Sequence, residues 1–155
     1  MDAKKEKKAQ EVFRTLCEHL KDRKWTYETH EADKVVTFGV NGDDIPMHFV
    51  LQIDAERELI RLHSPLNMPF PEEKRLDGAI ATCQVNYRLA DGSFDYEYTT
   101  GKVYFRMTSS YRDSLISKEL FDYMISCACY TVDEYNDKFL MLAKGALPLE
   151  SFLKK

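Results

Sequence analysis

Between Trp25 and His63 apolar residues recur at every second position, and this alternation restricts the fold more than any other feature of the chain. Successive side chains of an extended strand point to opposite faces, so a period of two implies strands with one buried and one open face. The alternation breaks at Glu31–Asp33, Asn41–Asp44 and Asp54–Arg57, which divides the stretch into four short strands at about 25–30, 34–40, 45–53 and 58–64. Asn41-Gly42 suits a tight turn because both residue types tolerate positive φ. Suppose that Tyr27 faces Phe38, Phe38 faces Met47 and Phe49 faces Leu62. One face then carries Trp25, Tyr27, Val36, Phe38, Val40, Met47, Phe49, Leu51, Ile53, Ile60 and Leu62 without interruption. A slip of one residue would send the whole set to the other face.

Helical spacing takes over on both sides of this block. Ala9, Val12, Phe13, Leu16, Cys17 and Leu20 make one stripe of a helix over about 4–23. Pro71-Glu72-Glu73 opens a second helix, since proline fits the first turn and early acids suit its positive end. Leu76, Ile80, Cys83 and Tyr87 are its expected apolar stripe. After the Asp91-Gly92 turn, Phe94, Tyr96 and Tyr98 alternate with polar residues, as do Val103, Phe105 and Met107 beyond Thr100-Gly101. A two-residue loop would pair Tyr98 with Val103 and set Asp95 opposite Arg106. A last helix is expected from an N-cap at Ser117 to about Lys144, roughly 40 Å long, with Gly145 as its stop. The apolar tail Leu147–Leu153 is expected to dock. The order α-β-β-β-β-α-β-β-α, with hairpins grouped between helices, predicts an α+β fold with an antiparallel sheet packed against helices. No repeat or linker divides the chain, so 1–155 reads as one domain, with a core of about 5–145 and a tail of 146–155.

Composition narrows the function classes. At 155 residues and 44% hydrophobic content the chain can support its own core. Its net charge is −4, and its one basic cluster, Lys4, Lys5, Lys7 and Lys8, sits at a helix start and reads as a solvated end. A nucleic-acid partner needs a basic face that is missing here. No run approaches the ~18–20 apolar residues of a membrane span, and the first twenty residues lack the apolar centre of a signal peptide. A cytoplasmic protein with no membrane partner is expected. Its four cysteines, Cys17, Cys83, Cys127 and Cys129, are then reduced and act as small hydrophobes on or near apolar stripes.

Residues 71–107 carry a recognisable pattern. It comprises Pro71-Glu72-Glu73-Lys74-Arg75, Asn86-Tyr87-Arg88-Leu89, Asp91-Gly92-Ser93-Phe94, a tyrosine-rich strand, and Gly101-Lys102-Val103-Tyr104-Phe105-Arg106. Together with Trp25 and Leu115-Ile116-Ser117, this order and spacing resembles the YbjN family, labelled bacterial sensory transduction regulators, over roughly residues 5–145. The resemblance implies a type III secretion chaperone-like fold whose secretion relatives are small, acidic, dimeric protein-binders. It brings no catalytic residue and no cofactor.

Candidate sites are few. His30, His48 and His63 fall on the non-core face of the first four strands, and the register above sets His48 directly opposite His63. Two histidines begin a metal site, but no third ligand has tetrahedral spacing, so no metal is expected. Cys127 and Cys129 point about 200° apart on a helix and cannot share a ligand. No Gly-x-Ser-x-Gly elbow, His-Glu-x-x-His motif or phosphate-binding glycine loop occurs, so no catalytic residue is assigned. The non-core sheet face mixes Val35, Val50 and Leu59 with His48, Arg61 and His63. Either these are scattered surface hydrophobes or the face is partly covered by a subunit or bound segment. The leading expectation is a non-enzymatic protein-binding adaptor or chaperone-like module, homodimeric and with a protein client. The alternative is a small-molecule sensor or small enzyme with a pocket between helices and sheet, in which Trp25, Tyr27 and Tyr96 are candidate liners. A regulatory subunit serving one partner is not separable from the first reading.

Overall fold

The structure is a computed structural model describing residues 2–114 and 116–154. The expected order is present: α1 (Ala3–Asp22), β1 (Glu28–His30), β2 (Val35–Val40), β3 (Met47–Asp54), β4 (Leu59–Pro65), α2 (Arg75–Arg88), β5 (Ser93–Glu97), β6 (Lys102–Ser110) and α3 (Lys118–Ala143). The tail adds a short helix, α4 (Leu149–Leu153), and 3-10 turns occupy Glu31–Asp33 and Glu72–Lys74. All six strands form one antiparallel sheet in the order β1-β2-β3-β4-β6-β5. Val36, Phe38, Met47, Phe49, Leu51, Ile53, Ile60 and Leu62 are buried, joined by Phe94, Val103, Phe105 and Met107 from the second hairpin. The helices pack on this face, and no strand residue of the opposite face is buried.

The faces agree with the alternation, but three ladders differ from the expected register by two residues. Val40, not Phe38, faces Met47, and Phe38 faces Phe49. Leu51, not Phe49, faces Leu62. Tyr96, not Tyr98, faces Val103, and Asp95 lies opposite Tyr104 rather than Arg106. In each of the three the centre of the turn lies one residue from its expected place, which moves partners by two along the ladder without changing faces. Only the first pair keeps the expected offset, since Glu28↔Thr37 continues to Tyr27 and Phe38. Trp25 and Tyr27 themselves precede β1. The Trp25 ring meets Phe38 edge-on at 5.1 Å, and the Tyr27 hydroxyl donates to the Cys17 carbonyl at 3.3 Å.

The second helix overturns its expected stripe. Leu76 is 62% exposed, Ile80 40% and Tyr87 85%, and Cys83 is exposed as well. The buried face is made instead by Gly78, Ala81, Thr82 and Val85. Close approach demands these small residues: a Cβ on Gly78 would lie 2.8 Å from the Tyr96 hydroxyl and 2.9 Å from Phe70 Cγ. Bulky aromatics rise from below to meet the helix, so the helix contributes little volume of its own.

The last helix follows expectation, burying Phe121, Met124, Ile125, Ala128, Val132 and Phe139, with Tyr135 half-buried. Ser117 takes the N-cap position but its hydroxyl makes no capping bond. Gly145 ends the helix at φ +74°, a left-handed conformation glycine adopts without strain. The tail docks: Phe152 is buried against Phe139 at 5.4 Å, and Arg88 donates to the Leu153 carbonyl at 2.8 Å. Leu115, part of the family pattern, lies outside the described residues.

Candidate functional site

With helices on one side only, the second face of the sheet is bare. Every sequence-predicted site residue stands there: Val35, Val50, Leu59 and His63 half-buried, His48 and Arg61 exposed. Antiparallel pairing aligns Thr37, Val50, His63, Arg106 and Ser93 in one row across five strands. The next row sets Val35 beside Gln52 and then Arg61 and Thr108. A shallow depression of about 530 Å³ lies over Arg61, His63, Pro65, Asp95, Tyr104 and Arg106. Of these, only Arg61 and His63 were singled out from sequence as site residues. Besides Pro65 at the end of β4, the others are Asp95, Tyr104 and Arg106, whose signal was the polar half of the alternation in the second hairpin, which joins the first four strands only through the β4–β6 pairing.

The expected His48–His63 juxtaposition does not form. His63 faces Val50 and Arg106, while His48 faces Gly39. The two-residue ladder shift turns a direct pair into a diagonal one. Among the described residues no group of three or more His, Cys, Asp or Glu is placed to hold a metal ion. Burial lowers the His63 pKa, and the neighbouring Arg61 and His48 lower it further. Arg106 reaches Asp95 with two bonds, Nε at 2.5 Å and Nη2 at 3.0 Å, and this pairing raises the Arg106 pKa despite partial burial. Asp95 thus meets Arg106 diagonally rather than across the ladder. At the far end, burial pushes the Asp54 carboxyl up, but the Arg57 amide, the Arg57 guanidinium and Arg61 together hold it below its usual value.

The two sheet edges differ. At β5 the Asn86 side chain acts as a substitute strand: it accepts the Phe94 N–H at 2.7 Å and donates to the Phe94 carbonyl at 2.8 Å. An unpaired edge is a template for another strand, and here an amide and the adjoining helix cover it. At the opposite edge β1 has three residues and spans only Val35–Thr37 of β2. Among the described residues, the outer side of Phe38–Val40 has no strand partner.

Elsewhere the candidates serve the fold. Lys5 and Lys8 of the basic cluster lie 3.6 and 4.0 Å from Glu58, which Arg112 also approaches at 3.6 Å. Burial, with Asp133 adding, pushes the Cys129 thiol up to about 11. Tyr96 donates to the Arg75 carbonyl at 2.8 Å and meets Phe70 edge-on. With Trp25 and Tyr27 it is engaged in packing.

A bare-faced antiparallel sheet, preceded by one helix and overlaid by a long one, is a type III secretion chaperone-like fold. The family model YbjN, described as "Putative bacterial sensory transduction regulator", matches residues 14–141, and the chain belongs to that family. The crystal structure of YbjN from E. coli is similar with a TM-score of 0.58 and 11% identity, over 81% of this chain and 92% of that one. A chain of the ExsC–ExsE complex gives 0.56 and 16% over 88% and 96%. A chain of the HopA1–SchA chaperone–effector complex gives 0.48 and 14% over 90% and 97%. Among curated proteins none matches in sequence. No helix among the described residues is long and apolar enough to cross a membrane.

Proposed function

We propose that this chain is a non-enzymatic, cytoplasmic adaptor that binds an extended segment of a protein client and acts as a homodimer. In this reading residues 1–155 are a single domain, with a core of about 5–145 and a tail of 146–155. The observation that carries the reading is the asymmetry of the sheet: one face is bare and sets Val35, Val50 and Leu59 among polar residues, one edge is plugged by Asn86, and the other edge is left short. A segment added at the β1–β2 edge gains backbone hydrogen bonds, and its alternate side chains reach toward Val35 and Val50. Leu59, Arg61, His48 and His63 extend that surface across the sheet. The occurrence of a similar fold in a two-protein complex is consistent with such a role. For the homodimer, the supporting feature is the outer stripe of α2. Leu76, Ile80, Cys83 and Tyr87 recur at helical spacing, and a two-fold axis lays such a stripe on its own copy.

The test is affinity purification from the native host with the wild-type chain and with the double variant Val50→Asp, Leu59→Asp, followed by mass spectrometry. A client is expected with the wild type and is lost with the variant. If the wild type retains no protein, or if the variant retains the same one, the reading fails.

A further inference from the structure

The core contains a cavity that the adaptor reading does not use. It measures about 250 Å³ and lies between the β3–β4 end of the sheet and the outer half of α3, lined by Met47, Met68, Phe139, Ser64 and Asn136, with Lys144 at its rim. We propose that this cavity is a binding site for a small amphiphilic carboxylate, with an apolar body inside and its acid group toward Ser64 and Lys144.

Ser64 is the first reason. The core-facing positions of β4 run Ile60, Leu62, Ser64, so a hydroxyl stands where the pattern asks for an aliphatic side chain. Ser64 is fully buried, and among the described residues its Oγ has no hydrogen-bond partner. A hydroxyl buried without a partner destabilises a fold, whereas a leucine here would fill the space. The neighbouring Asn136 makes two bonds elsewhere: its Nδ2 donates to the Ile45 carbonyl at 3.4 Å and its Oδ1 accepts from Asp137 N–H at 2.6 Å.

Size and charge indicate the chemistry. A cavity of about 150 Å³ holds benzene, so 250 Å³ accommodates about ten non-hydrogen atoms. Lys144 is exposed at the rim and makes no ion pair among the described residues. One cation at the mouth and one unpaired hydroxyl within select a single acidic group on an otherwise apolar molecule. Octanoate, with ten non-hydrogen atoms, is a suitable probe.

The test is a titration of methyl-¹³C-methionine-labelled protein with sodium octanoate, with 1-octanol as the uncharged control. Saturable shifts of the Met47 and Met68 methyls are expected below about 1 mM. Lys144→Ala should weaken octanoate by about two- to five-fold and leave octanol unchanged. Ser64→Leu should abolish both titrations while raising the melting temperature. Ser64→Ala, which keeps the cavity, should also raise it and should weaken octanoate. Linear, unsaturated shifts through about 5 mM, or an unchanged titration in Ser64→Leu, would overturn the site. Equal octanoate affinity in wild type and Lys144→Ala would overturn its preference for an acid. None of these readouts involves the protein client, so the two proposals stand or fall separately.

Discussion

Asn86→Ala removes both hydrogen bonds that close the β5 edge, at 2.7 and 2.8 Å to the Phe94 backbone. A typical intramolecular hydrogen bond contributes about 1 kcal/mol net, and a partner left buried without one costs about 1–3 kcal/mol. Asn86 is half-buried and the Phe94 side chain is 1% exposed, so water replaces the lost amide only in part. A loss of about 2–4 kcal/mol follows. For a chain of this length that corresponds to about 6–12 °C in melting temperature. Urea denaturation should show a lower midpoint at unchanged slope, since the surface exposed on unfolding is nearly the same. Asn86→Asp keeps the acceptor for Phe94 N–H but sets a carboxylate oxygen against the Phe94 carbonyl, so at neutral pH it should be destabilised as well, and less so once the acid is protonated and can donate. Uncovering the edge should also produce concentration-dependent association beyond the wild type, read by light scattering. An alanine variant within about 0.5 kcal/mol of wild type, with unchanged association, would refute the view that this side chain serves as a strand partner.

Three further outcomes are expected. Ile80→Glu, on the exposed stripe of α2, should change stability by no more than about 0.5 kcal/mol yet shift sedimentation toward the monomer; unaltered association would remove α2 from the dimer surface. His19 and His63 both have folded pKa values below 6.5, His19 because burial outweighs the nearby Asp122. The unfolded chain therefore binds more protons, so their contribution is complete above about pH 6.5 and is lost as pH falls from there toward the folded values; His63→Gln should flatten part of that slope in pH-resolved denaturation. In native protein, DTNB should react first with exposed Cys83 and more slowly with half-buried Cys129, whose thiol is pushed up to about 11; equal rates would contradict that difference.

The residues show why some features were legible and others not. Phe38, Phe49 and Leu62 were assigned to the core from alternation alone, and the same alternation placed Val35, Val50, Arg61 and His63 together on the opposite face. Partners were another matter. Whether His48 meets His63 depends on where the β3–β4 turn falls: the same four-residue loop at 55–58 rather than 54–57 moves every partner by two. The stripe of α2 misled because helical spacing identifies an apolar face without saying which way it points. Leu76, Ile80 and Tyr87 turn outward because Phe70 and Tyr96 occupy the inner space, where Gly78 fits against them and Ala81, Thr82 and Val85 complete the buried face.

Asn86 and Ser64 mark the same boundary. In the linear chain one is an amide near a helix end and the other a serine in a strand. Folding sets the first against a strand edge eight residues on and the second over a cavity beneath α3. Periodicity is local, reflecting how each backbone repeats, so element type and face can be read from neighbouring residues. Register, helix orientation and the contents of the sites arise from competition for shared volume between distant segments, which only the assembled fold resolves.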